Sequence, residues 1–150
     1  MNVVLIAPSG AVRSALERLH LDEGHDDRAV VVAAADLDVA PAGGIQSLIF
    51  PAPLGRVGSA ITRALSTSVI GRNLLRLTPL DGGRRLARRA LRHRPLRDAI
   101  AGADLVAVLE RDGVLTGWKA MRRWARADTP VVYGVAPAET LLTSMRSAVG

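Results

Sequence analysis

"NVVLIA", residues Asn2–Ala7, is a continuous apolar run rich in β-branched side chains. A strand wet on one side alternates apolar and polar residues, whereas an unbroken run marks a strand covered on both faces. "PSG" follows, and then "AVRSALERLH", where Val12, Ala15, Leu16 and Leu19 recur at helical spacing with polar residues between. Ser9 stands where an N-cap is expected. The chain therefore opens as strand, turn, helix.

The same grammar repeats downstream. "AVVVAAA" (Ala29–Ala35), "IQSLIF" (Ile45–Phe50), "ADLVAVL" (Ala103–Leu109) and "TPVVYGV" (Thr129–Val135) read as four more strands. "LDEGHDD" is a polar loop and "PAGG" a turn. After "PAPLG", Ile61, Leu65, Val69, Leu74 and Leu77 give an apolar stripe to a helix over about Val57–Leu77, with Gly71 as its weak point. "TPLDGG" is a turn before an arginine-rich segment that Pro95 either ends or follows with a second short helix. "RDGVLTGWKAMRRWARA" predicts a helix with Val114, Trp118, Met121 and Ala125 on one face. "APAETLLTSMRSAV" predicts a last helix opened by Pro137.

Strands alternating with helices imply parallel β-α-β units with right-handed crossovers. The expected fold is α/β: a three-layer, doubly wound, Rossmann-like domain of about five parallel strands in the order 3-2-1-4-5. Residues 1–150 read as one domain, with a basic helical insertion at about 56–97. Ligands of such sheets bind beyond the carboxyl ends of the strands, where the order reverses. That point falls between strands one and four, and sets "APSG" (Ala7–Gly10) beside "LERDG" (Leu109–Gly113). Ser9, Gly10 and Asp112 are the ligand-binding candidates.

Composition narrows the classes. A chain of 150 residues is long enough for a sizeable core without covalent staples. Cysteine is absent, which excludes disulfides, thiolate nucleophiles and cysteine metal sites. Aromatics make up only 3%, so Val, Leu, Ile and Ala must build the core. "MNVVLIAPSG" has no charged leader and too short an apolar run for a signal peptide. No stretch approaches the ~20 apolar residues that span a bilayer. A cytoplasmic protein, at most peripheral at a membrane, is the expectation.

The net charge of +6 has one source. Arg84–Arg97 holds seven arginines, one histidine and no acid, while the rest of the chain has 13 basic residues against 14 acidic. On a helical wheel Arg84, Arg85, Arg88, Arg89 and Arg92 cover one arc, and Leu86, Ala87, Ala90 and Leu91 the other. A solvated face on a docked helix explains this without any partner. Three partners compete with that reading. An anionic membrane would attract the arginines, although Leu86 and Leu91 are a small face for insertion. Nucleic acid would bind through phosphates alone, with no interleaved aromatic for base stacking. An acidic protein or phosphorylated ligand would form bidentate pairs with arginine.

Candidate chemistry is sparse. "APSG" opens a helix, where backbone N–H groups can hold phosphate, but it matches neither glycine-rich nucleotide fingerprint and reads equally as a cap and turn. Ser9 lacks a G-x-S-x-G elbow, which argues against a hydrolase. His20, His25, Asp22, Glu23, Asp26 and Asp27 lie together in sequence, but their spacing is not H-E-x-x-H. A solvated loop is expected there, with no metal and no cofactor. Glu110 and Asp112 are the only candidates for a catalytic acid or base, and both also suit the N-terminus of the next helix. The absence of an acidic pair after strand one excludes a receiver domain.

The stretch "ADLVAVLERDGVLTGWKAMRRWARADTPVVYGVAPAE" resembles the amino-terminal half of two-Rossmann-domain (GT-B) glycosyltransferases. In that half a strand ends in a short polar motif with an Asp, a helix follows, and the next strand ends "PVVYD". Asp112 and Pro130–Tyr133 stand at matching places, and the basic insertion before this strand is similar too. Leu109–Glu110 stand where the family commonly has a histidine, and Gly134 where it has an acid. The resemblance implies acceptor binding in this half and nucleotide-sugar binding in a second half beyond these residues. The expectation is an acceptor-side domain, not catalytic alone, acting by binding or with a separate catalytic partner, its arginine helix docking an acidic protein or anionic lipid. A non-enzymatic α/β scaffold or oligomerising protein is the alternative. A phosphate-backbone binder of nucleic acid is the third.

Overall fold

The computed structural model describes residues 1–21, 27–38, 44–51 and 81–149. The helix expected over Val57–Leu77, the part of the insertion before Asp81, and the loop residues Asp22–Asp26 lie outside them. Five parallel strands form one sheet in the order β3-β2-β1-β4-β5. They are β1 (Asn2–Ile6), β2 (Arg28–Ala33), β3 (Ile45–Ile49), β4 (Leu105–Val108) and β5 (Val131–Tyr133). The helices are α1 (Arg13–Leu19), α2 (Gly82–Ala90), α3 (Arg94–Ala101), α4 (Val114–Trp124) and α5 (Val135–Val149). A single 3-10 turn, Arg111–Gly113, joins β4 to α4. The doubly wound, three-layer reading and its strand order hold.

β1 is central because its side chains are apolar in both directions. Val3, Leu5 and Ala7 point to one face, with Val12, Leu16 and Leu19 of α1 and Ala138 and Leu142 of α5. Val4 and Ile6 point to the other, with Leu86 and Ala90 of α2, Leu96 and Ile100 of α3 and Ala120 of α4. Val3 through Ile6 are at most 1% exposed, and burying each such side chain contributes about 1.5–3 kcal/mol. The ladder Val3↔Leu105 to Ile6↔Val108 fixes the register with β4, and Asn2↔Arg28 to Ile6↔Val32 fixes that with β2. Pro95 falls in the first turn of α3, where its missing N–H costs nothing.

One helix face differs from the sequence reading. α4 buries Thr116, Gly117 and Ala120 against the sheet, while Val114 and Trp118 are 44% and 53% exposed. Close approach decides this. A Cβ on Gly117 would lie 2.6 Å from Val108 Cγ2, so the helix sits too near the sheet for any larger residue at that position. Only Met121 and Ala125 of the expected stripe border the core.

Candidate functional site

The carboxyl ends of β1 and β4 meet as the topology requires. Leu109 N–H donates to the Ile6 carbonyl at 3.0 Å, and the turn after β1 closes with Gly10 N–H on the Ala7 carbonyl at 3.0 Å. Ser9 then faces Glu110. Its backbone N–H donates to Glu110 Oε2 at 3.0 Å, and its hydroxyl donates to Glu110 Oε1. The same hydroxyl accepts from Ala11 N–H at 3.2 Å. Two loops that are 101 residues apart in sequence are thus joined at the switch point.

Neither partner plays the capping role that the sequence suggests. α1 starts at Arg13, and the carboxylate of Asp38 accepts from Val12 N–H at 2.9 Å and Arg13 N–H at 3.0 Å. The Val12 N–H leads the causes that hold the Asp38 carboxyl below its ordinary range. Glu110 makes no side-chain cap to the turn that follows it; its carboxylate is turned toward Ser9.

A crevice of about 540 Å³ opens beside this pair, lined by Ser9, Glu110, Asp112, Pro51, Gly82 and Arg85 among others. The strand ends and the N-terminus of α2 form its walls. α2 is capped by Asp81, whose carboxylate accepts from Arg84 N–H at 2.9 Å. Arg85 is the cation of the crevice. Its Nη2 is buried and has no hydrogen-bond partner among the described residues. Burial, and then the neighbouring Arg89, work against its charge and pull its pKa down. Arg89 itself turns to β3, donating to the Pro51 carbonyl.

Ser9, Glu110 and Asp112 therefore come together, and Arg85 joins them. Gly10 lies behind the turn, buried at φ +83°, and does not line the crevice. The arginine cluster is divided: Arg85 and Arg89 serve the crevice side, whereas Arg84, Arg88 and Arg92 line a groove between α2 and α4. Sequence reading missed both this division and the role of Asp38. Arg84 and Arg85 are about 100° apart on the wheel, and that signal was available.

Among the described residues no three His, Asp or Glu side chains gather as metal ligands. His20 ends α1 in a left-handed conformation, φ 51°. Asp27 is taken by the Met1 ammonium at 2.7 Å and by Arg146 at 2.6 Å. His25, Asp22, Glu23 and Asp26 lie outside the described residues. No helix among those described is long and apolar enough to cross a membrane.

The crevice is equipped to bind. Asp112 and Glu110 offer carboxylate acceptors to hydroxyl groups, and Arg85 offers donors and charge to an anion. Comparison with protein-family models, curated proteins and solved structures finds no match for this chain.

Proposed function

We propose that the switch-point crevice binds a polyhydroxylated ligand carrying one anionic group, as the acceptor side of a glycosyltransferase-like reaction. In this reading the nucleotide-sugar donor is held by a second half outside residues 1–150. The observation that carries the reading is Arg85, whose buried Nη2 has no hydrogen-bond partner among the described residues, in a crevice whose other charged groups are the carboxylates of Glu110 and Asp112. Burying a guanidinium N–H without an acceptor is costly, and an anion seated there relieves the cost. The carboxylates beside it suit sugar hydroxyls and repel a second anionic group.

The test is thermal stabilisation by sugar phosphates and uronic acids. Saturation at about a hundred times Kd adds about 2.7 kcal/mol, or about 5–10 °C in Tm for a domain of this size. Glucose 6-phosphate or glucuronate should produce such a rise in the wild type, and neutral glucose should not. Arg85→Gln should abolish it, and Glu110→Gln should weaken it. Equal stabilisation of the Arg85→Gln variant, or none of the wild type at saturating sugar acid, rules the reading out.

Self-association is a second reading, favoured by β5. It closes the sheet with one strand beside it, and its Val131 and Tyr133 are 50% and 58% exposed. An apolar edge of this kind invites pairing. Light scattering across a concentration series should then show a dimer that Tyr133→Lys disperses; a concentration-independent monomer removes this alternative.

A further inference from the structure

The groove between α2 and α4 has a volume of about 460 Å³ and no acidic residue in its lining. Arg88 and Arg92 stand on one wall, and Lys119 and Arg123 on the other. Lys119 and Arg123 are one turn apart on α4, about 6 Å along its axis, while Arg88 sits in the last turn of α2 and Arg92 in the turn just after it. All four are exposed, and among the described residues none pairs with a carboxylate. Arg123 lies over the Trp124 ring at 5.8 Å, which leaves its charge uncompensated. Only two segments distant in sequence, brought together by the fold, make this two-sided row of cations.

The groove runs on toward an aromatic. It shares Arg84 and Leu115 with a neighbouring cavity of about 500 Å³ whose wall includes Val114, Trp118 and Arg111, together with the carboxylates of Asp81 and Asp112. Trp118 is 53% exposed, with the Arg122 guanidinium 5.0 Å from its ring centroid. A half-exposed indole at the end of a cationic track is the arrangement by which proteins hold single-stranded nucleic acid: phosphates follow the charges and a base stacks on the ring. The sequence places no aromatic among the arginines; the fold supplies one from α4.

The shape selects among polyanions. α2 spends its apolar face on the core, where Leu86, Ala87 and Ala90 are at most 2% exposed, so no face remains to enter a bilayer. A duplex keeps its bases stacked inside, so only an unpaired strand can follow the cations and lay a base on the Trp118 ring. We propose that the α2–α4 groove binds single-stranded nucleic acid through its phosphate backbone, with Trp118 as the stacking platform. This rests on residues separate from the crevice and stands or falls independently of it.

The test is fluorescence anisotropy with labelled oligo-dT and oligo-U across a salt series. Neutralising about four phosphates predicts a slope of log K against log salt of about −3. Arg88→Glu combined with Lys119→Glu should lower affinity by tenfold or more and flatten the slope by about one to two. Trp118→Ala should lower affinity about five- to hundredfold with the slope unchanged. Arg18→Glu, on the opposite face, is the control for net charge and should leave affinity within about twofold; circular dichroism verifies the fold of each variant. Equal affinity for duplex DNA or polyglutamate overturns the proposal. So does capture by phosphatidylserine vesicles without oligonucleotide binding, and so does a Trp118→Ala variant that binds as well as the wild type.

Discussion

Gly10→Ala should be the most damaging single-methyl change in the domain, costing about 3 kcal/mol or more. The position has φ +83°, and a Cβ there would fall 2.1 Å from the Asp36 carbonyl oxygen. A left-handed conformation alone costs an L-residue about 1–2 kcal/mol. The overlap adds about 1–3 kcal/mol, because the obstacle is backbone and cannot rotate away. The turn cannot simply yield, since Gly10 also accepts from Asp38 N–H at 3.0 Å and Asp38 in turn caps α1. For a domain of this size the loss corresponds to about 6–12 °C in Tm. Thermal denaturation by circular dichroism checks it, and a variant melting within about 2 °C of the wild type contradicts the tight turn. Ser9 is one residue away, so surviving folded protein should also lose the sugar-acid response of the crevice.

Asp27→Asn should cost about 2–3 kcal/mol near neutral pH, and the deficit should vanish in acid. The Asp27 side chain is 9% exposed and receives the Met1 ammonium at 2.7 Å and Arg146 Nη2 at 2.6 Å. Arg146 Nη2 also donates to the Leu19 carbonyl at 3.1 Å. The carboxylate therefore helps hold together the start of β1, the end of α1 and the last turn of α5. Burial opposes its charge, but the hydrogen bonds from the terminal ammonium and Arg146 outweigh burial and hold its pKa below 3.8. A carboxyl lowered on folding stabilises the fold above its unfolded value, and that contribution is lost as pH falls through the folded one. Urea denaturation should thus separate variant from wild type at pH 7 and bring them together well below pH 3.8. A gap that persists in acid would assign the effect to packing. Asp104, lowered chiefly by Asn2 N–H and then by Arg126, steepens the wild-type decline over the same range.

The fold was legible because β1, β2 and β4 each carry an uninterrupted apolar run, VVLI, AVVVA and LVAV, and helical patterns follow β1 and β4. The strand order, expected as that of a doubly wound sheet, matches the observed one, with β1 central and apolar in both directions. The rim of the crevice was legible in the same way: placing β1 beside β4 places Ser9 near Glu110. What the two residues do to one another was not legible, because either can cap a helix locally and only their distance in space decides. Asp38 was missed since it caps a helix 25 residues earlier in the chain. Trp118 was misplaced because its spacing with Val114, Met121 and Ala125 makes an apolar stripe; Gly117 beside it meets the sheet instead. The division of the arginines into Arg85 and Arg89 against Arg84, Arg88 and Arg92 depends on which side of α2 meets α4, and composition is blind to that.

The sheet order also sets a timetable for synthesis. β1 is translated before any other strand, gains β2 within a few dozen residues, and then waits for β4 until Leu105–Val108 have been made. At about 5–20 residues per second the wait lasts about 4–15 s. Throughout it the central strand shows one bare edge to solvent or to a chaperone. A ribosome stalled before Leu105 leaves a nascent chain that is sticky, and slower elongation or lower growth temperature should change soluble yield more than any surface substitution.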